Sequence, residues 1–210
     1  MNKKEIIQKL NLENLLTISK ILKNYDNFIF YGTLLGIVRE KSVLKGDDDI
    51  DILIDIKLRE KILKLIKKHK KFIINKKVMN KYFIQLTRNI GGKKTFIDLY
   101  FYINNSKNKY IEEKHNFLSS VNLKSHSLHI PKKLVFPLKK NNNFKNVKIP
   151  NNQIKLCEFL YGKSWKKPLK KNTGYRMEII NHKPKLIERS KLGSITRFFK
   201  QFFYNEFQKK

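Results

Sequence analysis

The sequence predicts an α+β fold, α/β-like at its start, in which one mixed sheet is flanked by helices and followed by an irregular C-terminal part and a terminal amphipathic helix. Three observations predict it. Apolar residues recur at helical spacing over residues 3–23 and 59–69. They alternate with acids or run together in short segments between residues 27 and 103. Glycine, proline and asparagine punctuate the segments between.

Taken in order, Ile6, Ile7, Leu10, Leu15, Ile18, Ile21 and Leu22 outline the apolar stripe of a first helix, with a break expected near Asn11. Residues 27–30 read as a short strand. Gly32-Thr33 reads as a tight turn, Thr33 capping a short helix over residues 34–39. Residues 49–56 read as a strand with Ile50, Ile52 and Ile54 on one face and Asp49, Asp51, Leu53 and Asp55 on the other, because successive side chains alternate. Residues 59–69 return to helical spacing, and residues 71–78, 81–88 and 95–103 read as three more strands, the last following the Gly91-Gly92 turn. Residues 104–122 are polar and read as loop plus helix; Pro131, Pro137, Pro150 and an Asn141–Asn143 turn punctuate the second half of the chain. Residues 153–161 read as a helix closed by Gly162. The expected domains are residues 1–185 and a basic aromatic tail over 186–210, where Leu192, Ile195, Phe198, Phe199, Phe202, Phe203 and Phe207 recur among Lys and Arg.

Composition bounds the function. With 210 residues, 40% of them hydrophobic, the chain can bury a core and is not a disordered segment. The single cysteine, Cys157, excludes a disulfide framework and a cysteine-rich metal site, fits a reducing compartment, and reads as a core residue of its helix. No apolar run approaches the roughly 18 residues that span a bilayer, and MNKKEIIQKLNLENLL is too charged for a secretory signal. A cytoplasmic location is expected, with the inner face of the cytoplasmic membrane as the surface a basic tail would meet. The net charge is +30, yet only 6 of the 47 basic residues are Arg, the side chain whose fork grips phosphate in two places. Lysine in company with Asn and Ile is what an AT-rich genome writes at tolerant surface positions. The charge also suits anionic lipid or polyanionic glycan, whereas nucleic acid is not expected as a partner.

The carboxylates are concentrated. Asp47, Asp48, Asp49, Asp51 and Asp55 fall within nine residues, threaded through isoleucines. Two residues apart on a strand point the same way, so Asp49 and Asp51 would lie side by side and repel. A hard divalent cation, Mg²⁺ or Mn²⁺, removes that cost and takes carboxylate and phosphate oxygens together. Asp98, an acid alone in the apolar run TFIDLYFY, is the expected third ligand, since a buried lone acid is expensive unless paired or bound to metal. Gly32 lets backbone approach a phosphate, and Thr33 lies near a helix N-terminus whose free N–H groups favour anions. Hydrophobic-Gly-Thr, then Asp-x-Asp, then a later Asp is the layout of a nucleotidyltransferase-type site. A calcium loop and a solvated edge strand fit the acids less well. DDDIDILIDI lacks the central Gly and terminal Glu of the former, and its flanks are too apolar for the latter.

With these residues in view, YGTLLGIVR (31–39) followed by GDDDIDI (46–52) closely resembles the LicD family, which includes fukutin and fukutin-related protein. VFPLKK (135–140), VKIP (147–150), FLYGKSW (159–165) and Pro168 are similar to the family's second half, so the resemblance spans residues 28–168. It implies a nucleotidyltransferase-like fold and the transfer of a phospho-alcohol from a CDP-linked donor to a glycan or lipid-linked glycan acceptor: in bacteria lipopolysaccharide, capsule or teichoic acid. Carried onto this chain, Asp49 and Asp51 match the family's metal pair, Asp47 a further acid, and Gly32, Thr33 and Arg39 the motif beside the donor phosphates. Asp98 is then general base or further metal ligand. Arg39 would neutralise phosphate or pair with the acids. The chain departs from the family in having Lys45-Gly46 where Pro-Trp commonly precede the acids, and in lacking the cysteine cluster of the longer animal relatives. An enzyme of the same fold acting on RNA or protein is the alternative.

The remaining signals are weaker. His126 and His129 can ligate a metal or lie in surface loops; Tyr161 and Trp165 can stack on a base or sugar or pack about Gly162. Arg176 and His182 could close the site from the C-terminal side. The tail suits either an interfacial helix on an anionic membrane or one docked on a protein surface.

Overall fold

The computed structural model describes residues 2–118, 125–168 and 175–188. Helix α1 (Lys3–Ile21) opens with a capping box, in which the Glu5 N–H donates to the Asn2 side chain and the Asn2 N–H to the Glu5 carboxylate, both at 3.0 Å. The expected break does not occur. Asn11 is wholly buried on the inward face, and its amide finds acceptors outside the helix, so the ladder runs on unbroken.

Strand β1 (Asn27–Ile29) leads into α2 (Tyr31–Glu40), which returns the chain to β2 (Asp51–Asp55). A 3₁₀ turn (Ile56–Leu58) and α3 (Arg59–His69) follow, then β3 (Ile73–Ile74), β4 (Phe83–Ile90) and β5 (Lys93–Ile103). The sheet order is β1-β2-β5-β4-β3. β2 pairs parallel with β5, and every other pairing in the sheet is antiparallel. Both faces of β2 are buried alike: Ile52, Leu53 and Ile54 are all at 0% exposure, each contributing roughly 1.5–3 kcal/mol. Gly36 lets α2 pack close, since a Cβ there would meet the Ser42 carbonyl at 2.7 Å and the Leu44 nitrogen at 2.8 Å.

Within residues 104–122, read as loop plus helix, residues 104–109 are a loop, and in place of the helix comes β6 (Tyr110–Leu118), which pairs with β5 through Tyr102↔Glu113 and with β7 (Ser125–Pro131). The period-2 pattern is hidden because an acid, Glu113, stands at a buried position beside buried Ile111. Next come α4 (Lys132–Val135) and a small hairpin of β8 (Lys139–Lys140) with β9 (Lys148–Ile149), whose connection turns where Asn141 accepts from the Asn143 and Phe144 amides. Then α5 (Gln153–Tyr161) ends at Gly162, whose N–H bonds the Glu158 carbonyl at 2.8 Å. A hairpin of β10 (Tyr175–Ile180) and β11 (Lys183–Glu188) packs on β6, β7 and α5. Residues 186–188, the expected start of the tail helix, therefore finish a strand; the rest of that tail lies outside the described residues. Among the described residues no helix is long and apolar enough to cross a membrane.

Candidate active site

The parallel pairing of β2 with β5 places Asp51 directly across from Asp98. The ladder continues into the preceding loop, with Asp98 N–H donating to the Ile50 carbonyl at 2.7 Å and Phe96 N–H to the Asp48 carbonyl at 3.0 Å. Neighbouring strands stand about 4.8 Å apart, so paired residues project their carboxylates side by side. Asp49, Asp51 and Asp98 each offer an oxygen, all within 4.8 Å of one another. Asp47, Asp48 and Asp49 meet the same criterion, so Asp49 is common to both groups.

These acids are under electrostatic stress. Burial, then the charges of Asp49, Asp98 and Asp47, push the Asp51 carboxyl well above the usual range. Burial is also the chief reason Asp98 is pushed up to about 6, against the opposing hydrogen bond from Gln85, whose amide donates to Asp98 Oδ1 at 3.0 Å. The Tyr100 hydroxyl approaches Asp51 Oδ1 at 3.4 Å. Convergent carboxylates that resist ionising together form a donor set suited to a hard divalent cation. The residues present fit such an ion: Asp49, Asp51 and Asp98 as the inner group, with Asp47 beside them.

The Gly-Thr corner differs from expectation in detail. Helix α2 begins at Tyr31, with Phe30 as an N-cap lacking a side-chain cap, so Gly32 and Thr33 lie within the first helical turn. Thr33 does not cap; buried, its Oγ1 accepts the Asp51 N–H at 2.8 Å and ties α2 to β2. Gly32 is where the helix meets the acids, since a Cβ there would lie 2.7 Å from Asp47 Oδ2 and 3.4 Å from Asp51 Oδ2. The positive end of the α2 dipole thus abuts the carboxylates.

Arg39 is the exception among the expected site residues. It lies at the far end of α2, about 10 Å along the axis from Gly32 at 1.5 Å per residue. Its ion pair is with Glu40 at 2.7 Å, not with the acid cluster, and Nη1 donates to the Trp165 carbonyl at 3.4 Å. Trp165 is itself buried, as packing requires. Tyr161 does face the acids, its hydroxyl held well above its usual range by burial and then by Asp51. Cys157 is a core residue, its thiol pushed up to about 12 by burial.

Several residues escaped the sequence reading. Gln85 and Tyr100 flank the acids from β4 and β5. Tyr31 carries a left-handed φ of 37° and donates its hydroxyl to Glu113 Oε2 at 3.1 Å. Asn11 reaches the acid loop from α1; its signal is present as an amide row, Gln8, Asn11 and Asn14, at a spacing of three. Neither His129 nor His182 belongs to a metal-ligating group among the described residues; their rings stack at 3.9 Å, and His129 stacks in turn on Tyr110. The side chains of His126 and Arg176 lie outside the described residues.

Residues 24–152 match the profile described as LicD/FKTN/FKRP, nucleotidyltransferase domain. The chain belongs to this family. As a LicD-family chain it is a transferase of the phosphotransfer type, and the match contains Gly32, Thr33, Asp47, Asp49, Asp51 and Asp98. No curated protein matches the chain. Among solved structures the LicD-family chain is similar to the lincomycin-bound crystal structure of the lincosamide antibiotic adenylyltransferase LnuA, at 17% identity and TM-score 0.45, covering 68% of this chain and 78% of that one.

Proposed function

We propose that this chain moves a phospho-alcohol, namely phosphocholine, phosphoethanolamine or a polyol phosphate, from a CDP-activated donor to a sugar hydroxyl of a bacterial surface glycan: lipopolysaccharide, capsule or teichoic acid. The observation that carries the proposal is the in-register convergence of Asp51 and Asp98, with Asp49, against the first turn of α2. The acceptor oxygen forms the new bond to phosphorus, the bond to CMP breaks, and the hydroxyl proton passes to a carboxylate. Asp98 is the carboxylate offered to that proton where Asp49 and Asp51 alone hold the ion. Gly32 lets the first turn of α2, with its free N–H groups, come close to the acids, since a Cβ there would meet Asp47 Oδ2 at 2.7 Å. Mg²⁺ or Mn²⁺, held by Asp49, Asp51 and Asp98 with Asp47 nearby, would neutralise the diphosphate and the leaving CMP. The acceptor glycan, lipid-linked or free, would be met at the inner face of the cytoplasmic membrane, with the basic residues after β11, 189–210, reaching anionic lipid.

The test is CMP release from CDP-choline, CDP-ethanolamine and CDP-ribitol in the presence of surface glycan. One donor should be consumed, EDTA should stop the reaction and Mg²⁺ or Mn²⁺ should restart it. Mass spectrometry of glycan from cells lacking the protein should then miss one phospho-substituent. Consumption of ATP with RNA or protein as acceptor, and of no CDP-alcohol, would overturn the proposal.

A further inference from the structure

Helix α1 lies outside the residues matched to the family, yet it holds the acid loop along its length. Gln8 Nε2 donates to the Val43 carbonyl at 2.8 Å. Asn11 Nδ2 donates to the Asp47 carbonyl at 2.8 Å and more distantly to that of Asp49 at 3.5 Å. Asn14 Nδ2 donates to Thr95 Oγ1 at 2.7 Å, three residues before Asp98. The Lys45 ammonium pairs with Glu5 at 2.9 Å. These contacts fall on one face because residues three apart are neighbours on a helix.

The loop needs such support. Residues 47–50 have no regular secondary structure, and on the other side the edge of β5 takes the Asp48 carbonyl and the Ile50 N–H. The loop is therefore held between a strand and a helix. Mutual repulsion of the carboxylates works to open it. Beneath α1 the donor to the partly buried Asp47 carbonyl is the Asn11 amide, itself at 0% exposure. Asn11 also buries its own Oδ1 with no hydrogen-bond partner among the described residues, a cost an apolar side chain of the same size would avoid. Leucine would remove that cost and would leave the Asp47 carbonyl without its donor.

We infer that Asn11 is a positioning residue: it fixes the Asp47 and Asp49 carbonyls so that their carboxylates stay convergent, and it thereby sets the affinity for the divalent ion. The inference rests on the proposed metal-dependent reaction only in taking these acids as the ion's ligands.

The experiment measures Mn²⁺ binding to the full chain by electron paramagnetic resonance, alongside thermal melting in EDTA. Asn11→Leu should weaken Mn²⁺ about tenfold, the usual scale for residues that orient metal ligands, while the metal-free chain still melts as one cooperative unit. Gln8→Met, which removes the less buried donor to Val43, should weaken Mn²⁺ in the same direction by less, and it serves if Asn11→Leu does not fold. Wild-type Mn²⁺ affinity in Asn11→Leu would overturn the inference and leave the metal site standing. Absence of Mn²⁺ binding by the wild-type chain would overturn both. A lowered metal-free melting temperature with unchanged affinity would assign Asn11 to the fold alone.

Discussion

Two regions of the sheet bury carboxylates and handle them differently. At the β2–β5 junction Asp51 and Asp98 are 5% and 8% exposed, with Asp49 close by. Along β6, Glu113 is at 0% exposure, with the Tyr31 hydroxyl donating to it at 3.1 Å. Glu113 meets a neutral donor; Asp51 meets other acids, and its protonation is correspondingly favoured. A buried acid is therefore not by itself a sign of chemistry. Several acids converging from paired strands, each raising the cost of ionising the next, mark the place where a cation from outside belongs.

The sharpest way to break this contrast is Asp51→Asn. Turnover should fall on the order of 10³-fold, the scale of removing a central electrostatic contact, measured as CMP release. The same change removes a repelling charge, so the metal-free protein should melt higher than wild type in EDTA. Unchanged turnover would return Asp51 to a structural role like that of Glu113.

The second prediction concerns pH. Asp98 has its carboxyl raised from 3.8 to about 6 by burial. A carboxyl raised on folding binds more protons in the folded chain than in the unfolded one, so its stabilising share is complete below about pH 4 and is lost as pH rises through about 6. The loss is at most about 3 kcal/mol by the linkage of pKa to free energy. In EDTA, wild-type stability relative to Asp98→Asn should decline between those limits, and Mg²⁺ should restore it at pH 7. Denaturant melts at successive pH values check this; a relative gain with rising pH would show that burial does not disfavour the ionised form of Asp98.

The contrast also explains how much of the molecule is legible in its sequence. The acid strand and the Asp98 strand are legible because alternation of acid with isoleucine and an acid inside TFIDLYFY break ordinary core patterning in a recognisable way. Parallel pairing, which brings Asp51 opposite Asp98, is a long-range fact that no local pattern carries. Strand β6 is hidden because Glu113 replaces an expected apolar residue at an inward position, its partner Tyr31 being 82 residues away. Asn11 reads as a helix break because an amide usually competes with the helix backbone; here its acceptors lie 36 and 38 residues on. The motif carries Arg39 into the site, and helical rise separates it from Gly32.

The smallest effect is expected at the link between the two regions. Tyr31 puts its hydroxyl on Glu113 and its backbone beside Gly32, and it holds an uncommon left-handed φ of 37° with its ring against Phe30 at 4.4 Å and Tyr100 at 5.3 Å. Tyr31→Phe keeps that ring packing and deletes one hydrogen bond to a buried carboxylate, at a cost of about 1–3 kcal/mol. If the Glu113 region is structural, the loss should appear in denaturant melts while Mn²⁺ affinity stays at the wild-type value. Metal affinity falling in step with stability would instead show that the two regions act as one, with Glu113 supporting the first turn of α2 against the acids through Tyr31.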